Sequence, residues 1–240
     1  MRCIDRRVGT MFKNEISVLL PALDEELTLG RVIDGIPVEQ IKKKGYDIDI
    51  MVVDGHSTDN TQKIALAKGA RLILQEGRGK GLGLKTAFKA SKGKYLFMMD
   101  SDDTYPGYHI LEMLDLLESG KYDVVLGSRL NGNIMPGAMT GVNYLGNKIL
   151  TQTANILFPN GHKVSDLCTG MWGFKGDVVR KLQLEARHFD VEAEMYAKCV
   201  KMGCNIGEIP IEYRKRIAPS KLSSVKHGVT IATRLLKEKI

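Results

Sequence analysis

Three carboxylates follow an apolar run near the middle of the chain. Residues 95–99 have the composition of a buried strand, and Asp100, Asp102 and Asp103 come directly after it, shortly before Pro106. Carboxylates two residues apart repel one another unless a cation lies between them, and a hard divalent cation with oxygen ligands is the usual partner. The spacing predicts that Asp100 and Asp102 bind Mg²⁺ or Mn²⁺ and, with it, a phosphorylated substrate. A surface turn is the alternative, because Asp, Ser and Pro also form turns.

Two other apolar runs end in polar residues. After the first, Pro21 and Ala22 precede Glu25, whose carboxylate can accept hydrogen bonds from a ribose or a base. After the second, Asp54 precedes hydroxyl side chains that can cap a helix. Ligands of open α/β sheets gather at the carboxyl ends of the strands. Three polar strand ends therefore favour one shared binding site over three separate turns.

A glycine-rich segment opens a predicted helix between the second and third of these strand ends. In residues 76–83, the backbone amides and Lys80 could approach an anion at the helix N-terminus. The spacing matches neither the Walker pattern nor the GxGxxG dinucleotide pattern, which disfavours kinase and dehydrogenase activity. A flexible surface loop is the alternative.

The elements that must position these residues alternate between strand and helix. Short runs rich in Val, Ile and Leu, at 16–20, 48–53, 71–74, 95–99 and 123–126, are separated by segments with apolar residues at helical spacing. This βαβα order predicts an α/β fold, with a mostly parallel sheet covered by helices on both faces. A longer helix is predicted at 139–157. The last residues, 225–240, form a basic amphipathic helix that either packs on the domain or lies at an anionic membrane surface.

Composition limits the class of protein. The 240-residue chain has 35 Lys and Arg against 28 Asp and Glu, and this surplus favours anionic partners. The four cysteines lack metal-site spacing, so a reducing compartment is expected. The basic N-terminus is followed by no apolar h-region, and no run reaches the ~18 apolar residues of a spanning helix. We expect a protein that is soluble or peripheral at a membrane.

The motifs together resemble those of a known family. PALDEE at 21–26, VVDGHSTDN at 52–60, the GKG loop at 79–81, MDSDDTYP at 99–106 and GSR at 127–129 are similar, in order and spacing, to the family 2 glycosyltransferases with the GT-A fold. Within that family the chain resembles the polyprenyl-phosphate sugar synthases, such as the dolichol-phosphate mannose, glucose and N-acetylglucosamine synthases. The resemblance implies a Rossmann-like, mostly parallel sheet with an acceptor-side elaboration.

The resemblance also implies roles for individual residues. The nucleotide sugar would be bound by Pro21, Ala22, Glu25, Asp54, Lys80, Asp100, Ser101 and Asp102, and Mg²⁺ or Mn²⁺ by Asp100 and Asp102. The acceptor phosphate would be bound by Arg129, Arg214, Arg216, Ser220 and Lys221. The catalytic residues would be Arg129, Asp166 and Glu194, with the two carboxylates orienting sugar hydroxyls or basic groups.

The domain organisation follows from the same match. We expect an N-terminal extension at 1–14, one glycosyltransferase domain at 15–224 and the terminal helix at 225–240. Within the domain, 15–131 would be the nucleotide-sugar-binding half and 132–224 the acceptor half.

The implied reaction is metal-dependent, inverting transfer of one hexose to dolichyl or polyprenyl phosphate at the cytoplasmic face of a membrane. The enzyme would be peripheral, with or without a membrane-anchoring partner. The donor would be UDP-glucose, UDP-N-acetylglucosamine or GDP-mannose. Thr104 stands where mannose synthases commonly have Gln, which favours a UDP-sugar. The QxxRW signature of processive synthases is absent, which disfavours polymerisation.

Two rival functions are compared with transfer to a lipid phosphate. Transfer to a saccharide or protein hydroxyl would require Asp166 or Glu194 as a general base. A basic nucleic-acid-binding protein is disfavoured, because only 6% of residues are aromatic and three acidic strand ends would repel phosphate. We therefore expect no nucleic-acid partner.

Overall fold

One mixed sheet lies at the centre of the protein. The computed structural model describes residues 13–218 and 224–240. Within these residues the strands are β1 (Lys13–Ala22), β2 (Asp47–Asp54), β3 (Arg71–Leu74), β4 (Gly93–Met98), β5 (Val124–Ile134), β6 (Trp172–Lys175) and β7 (Ile206–Tyr213). Their order across the sheet is β3-β2-β1-β4-β6-β5-β7. Only β6 runs antiparallel to its neighbours. The predicted α/β fold with a mostly parallel sheet is confirmed.

Helices cover both faces of the sheet. They are α1 (Leu29–Asp34), α2 (Val38–Lys43), α3 (Thr61–Ala67), α4 (Lys80–Ala90), α5 (His109–Glu118), α6 (Gly141–Leu157), α7 (Gly176–Lys181), α8 (Val191–Lys201) and α9 (Ser224–Lys239). Successive side chains of a strand point to opposite faces. In β1, Leu19 therefore joins one buried apolar cluster, and Val18 and Leu20 join the other. The core thus consists of two apolar layers, one on each face.

Strand direction brings the predicted polar clusters to one edge. Ala22 at the end of β1 is paired with Asp54 at the end of β2, and Leu19 is paired with Met98 at the end of β4. Because β6 is antiparallel to β4 and β5, its first residue, Trp172, reaches this same edge. The two predicted halves of the domain therefore share one sheet, since β6 comes from the second half and lies between two strands of the first.

Most of the elements absent from the sequence-based prediction are short. Neither α2, α7, β6 nor β7 was expected, and all but β7 span six residues or fewer. A segment of this length does not complete two turns of helix or a clear alternation of apolar and polar residues, so its periodicity is weak. Strand β7 has eight residues, but Glu208, Pro210 and Glu212 interrupt its apolar run. The longer predicted helices at 139–157 and 225–240 correspond to α6 and α9.

Gly132→Ala tests the close approach of β5 and β7. A Cβ atom at Gly132 would lie 1.9 Å from the backbone oxygen of Ile211, so the two strands would have to separate. We expect the free energy of unfolding in urea to fall by roughly 1–3 kcal/mol, as for other overpacked sites. The matched control is Gly146→Ala in α6, where a Cβ meets nothing within 4 Å. This control should stabilise the protein by up to ~1 kcal/mol through helix propensity. Equal stability of the two variants would contradict the prediction.

Candidate active site

A partly buried chain of alternating charges lies at the carboxyl edge of the sheet. Lys80, the first residue of α4, places its Nζ 2.7 Å from Oδ1 of Asp100 and 2.7 Å from Oε1 of Glu192. Burial lowers the pKa of Lys80, but the two carboxylates raise it by more, so the net shift is upward and the ammonium stays charged. Burial raises the pKa of Glu192, and Lys80 opposes that shift. The lysine thus links the end of β4 to the start of α8.

A second cation neutralises the other carboxylate of the predicted metal pair. Arg216, which follows β7, lies 3.0 Å from Oδ2 of Asp102 and 3.0 Å from Oε1 of Glu25. Burial and the neighbouring Asp100 raise the pKa of Asp102, while Arg216 lowers it. Nε of Arg216 is buried and has no hydrogen-bond partner within the described part of the chain. Asp100 and Asp102 are therefore each balanced by a basic residue from a different element.

The backbone before β6 closes this cluster from the acceptor side. A Cβ atom at Gly170 would lie 2.1 Å from Oδ2 of Asp100, so only glycine fits here without displacing that carboxylate. The amide of Gly170 donates to the hydroxyl of Tyr105 at 2.8 Å. The segment leading into β6 is thereby fixed directly against the acidic strand end.

Asp54 offers an unused acceptor in the predicted nucleotide pocket. Its Oδ2 accepts hydrogen bonds from the amides of His56 and Ser57, both at 3.0 Å, and from Nε2 of Gln62 at 2.8 Å. Its Oδ1 is fully buried and has no partner among residues 13–218 and 224–240. A buried acceptor left unpaired costs about 1–3 kcal/mol. This oxygen would therefore favour a ligand that donates an N–H.

The remaining predicted nucleotide-binding residues hold the strand ends together. The hydroxyl of Ser101 donates to the carbonyl of Pro21 at 2.8 Å, and the amide of Gly55 donates to the carbonyl of Ala22 at 2.7 Å. Thr28 donates to the carbonyl of Ser101 at 2.8 Å. These bonds fix the loops after β1, β2 and β4 relative to one another.

Arg129 and Asp166 form a buried bidentate ion pair. Nε and Nη2 of Arg129 lie 2.7 and 2.8 Å from Oδ2 and Oδ1 of Asp166, and the amide of Arg129 donates to Oδ2 at 3.0 Å. The guanidinium also lies 5.2 Å from the centre of the Tyr213 ring. Burial lowers the pKa of Arg129, but Asp166 raises it by more. The structure therefore brings these two predicted catalytic residues together and satisfies each with the other.

Glu194 lies apart from the cluster. Its carboxylate accepts hydrogen bonds from the amides of Glu185 and Ala186 at 2.7 and 2.8 Å, and it pairs with Lys198 at 2.8 Å. The first turn of α8 contains two acidic residues, and those two positions point to different sides of a helix. The structure brings Glu192, which was not among the predicted site residues, to Lys80 instead. Glu192 and Glu194 are distinguished only by the rotation of α8 about its axis, which decides which of the two carboxylates faces Lys80.

Two of the predicted acceptor-binding residues after β7, Arg214 and Arg216, lie within the described part of the chain. Arg214 lies 2.6 Å from Glu212 and 3.9 Å from Asp103, beside the cluster that Arg216 enters. The predicted acceptor-binding residues Ser220 and Lys221 lie outside the described residues.

The predicted metal pair is suited to a hard cation with few protein ligands. Among the described residues, no group of three or more His, Cys, Asp and Glu side chains has the arrangement of a metal site. Asp100 and Asp102 supply carboxylate oxygens alone, and Mg²⁺ usually binds one or two carboxylates and takes its other ligands from water and substrate phosphates. The donor set therefore fits Mg²⁺ or Mn²⁺ held together with a diphosphate, and metal binding stays a prediction.

Known proteins resemble this chain in sequence. The model of the family described as glycosyl transferase family 2 matches residues 17–183. The low-salt glycan biosynthesis hexosyltransferase Agl6 of Haloferax volcanii is 32% identical over 89% of this chain and 51% of its own length. Glycosyltransferase AglJ of the same organism is 32% identical over 84% of this chain and 63% of its own. The dolichyl-phosphate hexose transferase of that organism is 31% identical over 93% of both chains. The chain thus spans about half to two thirds of the first two relatives.

Solved structures resemble the fold. Glucosyl-3-phosphoglycerate synthase from Mycobacterium tuberculosis, in complex with phosphoglyceric acid, has a TM-score of 0.76 at 22% identity, over 93% of this chain and 79% of that one. The same synthase with Mn²⁺, UDP-glucose and phosphoglyceric acid has a TM-score of 0.75 at 22% identity, over 94% of this chain and 79% of that one. At this identity the likeness concerns the fold alone, and the GT-A fold is confirmed.

Asp166→Asn tests whether the Arg129 pair is a structural requirement. The substitution leaves the Arg129 charge buried without its counter-ion, and we expect the free energy of unfolding to fall by roughly 3–5 kcal/mol. Asp34→Asn is the control, because the Lys68–Asp34 pair is exposed and should contribute at most about 1 kcal/mol. Urea denaturation measures both variants. A loss no larger in Asp166→Asn than in the control would contradict the prediction.

Proposed function

Because the chain belongs to glycosyl transferase family 2 and is a glycosyltransferase, we propose that it transfers one hexose from a nucleotide sugar to dolichyl or polyprenyl phosphate. The donor is UDP-glucose, UDP-N-acetylglucosamine or GDP-mannose, and the transfer inverts the anomeric carbon. The observation that carries the proposal is the acidic pair at the end of β4, the buried Asp102 and the partly buried Asp100, with each carboxylate balanced by a basic side chain of the protein.

This charge arrangement suits a diphosphate with a bound cation. Lys80 and Arg216 each lie within 3.0 Å of a carboxylate, so both cations are already held at the edge of the cleft where a diphosphate would lie. When present, Mg²⁺ or Mn²⁺ would be held by Asp100 and Asp102 and would offset charge on the leaving nucleoside diphosphate. The two basic side chains are then available to the phosphate oxygens, and the charges stay balanced. A charge-balanced pocket of this kind stabilises a leaving group without reorganising the fold.

Asp54 supports the nucleoside end of the proposal. The free Oδ1 is buried at the end of β2, where sheets of this type bind nucleotides. Uracil and guanine each present a ring N–H to an acceptor of this kind, so Asp54 agrees with either a UDP-sugar or a GDP-sugar. The choice of sugar must then depend on residues that face the hexose.

The acceptor proposed is a phosphate, because the nearby carboxylates are already paired. Asp166 is bound to Arg129 and Glu194 to Lys198, so neither is a free base. A lipid phosphate has a second pKa of ~6 and is largely dianionic at neutral pH. It can attack the anomeric carbon without a base, provided that it is positioned. The 31% identity to a dolichyl-phosphate hexose transferase supports the same acceptor class.

The proposed reaction takes place at a membrane, because the hydrocarbon chain of the acceptor is held in the bilayer. We place it at the cytoplasmic face. Among the described helices, none combines the length and apolar composition that crossing a bilayer requires. Because the proposed acceptor is a lipid, we propose a peripheral association with the lipid surface, either direct or through a membrane-anchoring partner.

A transfer assay tests the reaction. We expect radiolabelled hexose from one of a panel of UDP- and GDP-sugars to appear in dolichyl phosphate in detergent with Mg²⁺ or Mn²⁺. EDTA or Asp102→Asn should reduce the rate roughly a hundredfold or more. Asp115→Asn, at an exposed carboxylate of α5, is the control and should retain the wild-type rate. Product that still forms in EDTA would contradict the proposed metal dependence. Transfer only to a saccharide or protein hydroxyl would contradict the proposed phosphate acceptor.

Nucleotide binding tests the role of Asp54. Asp54→Asn replaces a charged acceptor by a neutral amide, and we expect UDP or GDP to bind roughly tenfold more weakly by calorimetry, since a hydrogen bond to a charged group is worth about 1.5–3 kcal/mol. Asp49→Asn, in the same strand, removes the counter-ion of Arg71 instead and should leave nucleotide affinity unchanged. If both variants bind nucleotide like the wild type, Asp54 does not contact the base.

A further inference from the structure

Helix α6 has an apolar stripe on its outer face. Val142, Leu145, Ile149 and Ile156 are 73%, 59%, 57% and 75% exposed. Their spacings of three, four and seven residues place them on one side of the helix. The opposite side packs inward through Thr151 and Ala154, both of which are buried. Leu150 and Leu157 also pack against the core, so the helix buries one apolar side and exposes a second stripe of four large aliphatic side chains.

Helix α9, the amphipathic helix predicted from the sequence, buries part of its apolar side inside the fold. Ile231 and Leu235 belong to the buried core, and Arg234 pairs with Asp190 at 2.8 Å. Val229 and Leu236 stay exposed, at 65% and 55%. The alternative in which this helix packs on the domain is therefore the one observed, and α6 carries the longer unused stripe.

The charge around the stripe is positive. Helix α6 contains Lys148 and no Asp or Glu, and it packs against α9. Of the basic residues of α9, Arg234 pairs with Asp190 and Lys237 with Glu185, whereas Lys239 lies 5.9 Å from the centre of the Phe158 ring at the end of α6. Lys148 and Lys163 both line a cavity of ≈ 540 Å³ next to α6. An outward aliphatic stripe among basic residues is typical of helices that lie in the interface of an anionic bilayer.

Hydrogen bonds connect α6 to the acceptor side of the site. The amide of Leu167 donates to Oγ1 of Thr151 at 3.0 Å. Nδ2 of Asn155 donates to the carbonyl of Val164 at 2.9 Å, and the amide of Val164 donates to Oδ1 of Asn155 at 3.0 Å. Asp166 lies between these anchored residues. The same cavity beside α6 is lined by Ser165, so it opens next to the Arg129–Asp166 pair.

We propose that α6 docks the protein on an anionic lipid surface, with its four aliphatic side chains among the acyl chains and Lys148 at the lipid phosphates. This orientation turns the cavity beside Ser165 towards the bilayer, from which a lipid phosphate can enter. The inference rests on the proposed function for the identity of that lipid, whereas docking itself does not depend on catalysis.

A second copy of the chain is the competing occupant of this surface. A two-fold pairing through α6 would bring residues near the middle of the helix against their own counterparts. Lys148 lies there, beside Ile149, so two like charges would meet. A lipid phosphate instead provides the opposite charge at the same place. The lipid surface therefore matches both the apolar and the basic side chains.

Vesicle flotation tests the docking surface. The wild-type protein should float with phosphatidylcholine vesicles that contain phosphatidylglycerol, and Leu145→Ser/Ile149→Ser should reduce the partition coefficient roughly tenfold or more. Val229→Ser/Leu236→Ser on α9 is the matched control, because it removes the same kind of side chain at similar exposure. It should float like the wild type. The proposal is overturned if the wild type does not float, or if the α9 variant loses as much binding as the α6 variant.

A fluorescent reporter tests insertion separately from affinity. The chain has a single tryptophan, Trp172, which is fully buried. In Ile149→Trp we expect the emission to shift to the blue on addition of anionic vesicles and to be quenched by brominated acyl chains, since the indole leaves water. Leu236→Trp should change much less. An unchanged emission in Ile149→Trp would exclude insertion of α6.

Two further measurements separate the possible failures. Wild-type protein that transfers hexose to a short-chain, water-soluble isoprenyl phosphate but does not bind vesicles overturns docking and leaves the proposed function intact. Protein that binds vesicles through α6 but transfers no sugar to any lipid phosphate refutes the proposed function alone. Sedimentation of a dimer that Leu145→Ser/Ile149→Ser converts to a monomer, without vesicle binding, would assign the stripe to a second copy and overturn the proposal.

Discussion

Buried negative charge at the carboxyl edge of the sheet is the constraint on which the site depends. The strand ends bring the buried Asp54 and Asp102 and the partly buried Asp100 to one edge, where burial makes an unpaired charge costly. Asp54 accepts hydrogen bonds from two amides and Gln62, whereas Asp100 and Asp102 are paired with cations from distant parts of the chain, Lys80 from the start of α4 and Arg216 from beyond β7. Elements that are far apart in sequence are thereby held together by charge, and the same cations are available to a phosphorylated ligand.

The sequence reveals this edge more clearly than it reveals the roles of individual side chains. Apolar runs that end in Asp54 and Asp100 predict both the sheet and the edge where ligands bind, because strand direction follows from the βαβ order. The distinction between Glu192 and Glu194 depends on the phase of α8 relative to the loop at 185–186, a tertiary contact that no local pattern contains. For the same reason the pairing of Arg129 with Asp166 is visible only in the structure, since 37 residues separate them.

The acceptor half contributes rigidity as well as chemistry. Glu194 fixes the backbone at 185–186, and the next residue, Arg187, accepts a hydrogen bond from the amide of Gly81 in the first turn of α4 at 3.1 Å. The position of Lys80 is thus set partly by a residue of the opposite half. Asp166 similarly orients Arg129 with two hydrogen bonds from one guanidinium, a geometry that limits rotation more than a single contact does. Positioning residues such as these determine where the charged groups of the cleft can go.

The antiparallel strand β6 has a consequence for how such an enzyme can change. It lies between β4 and β5, so the chain of the second half passes through the centre of the sheet built by the first. An exchange of the second half between relatives would replace this central strand and its pairings with both neighbours. Recombination at the midpoint of the chain is therefore disfavoured. Under the proposed function, new acceptors are more readily acquired by substitutions in the loops before β6 and after β7, which leave the sheet intact.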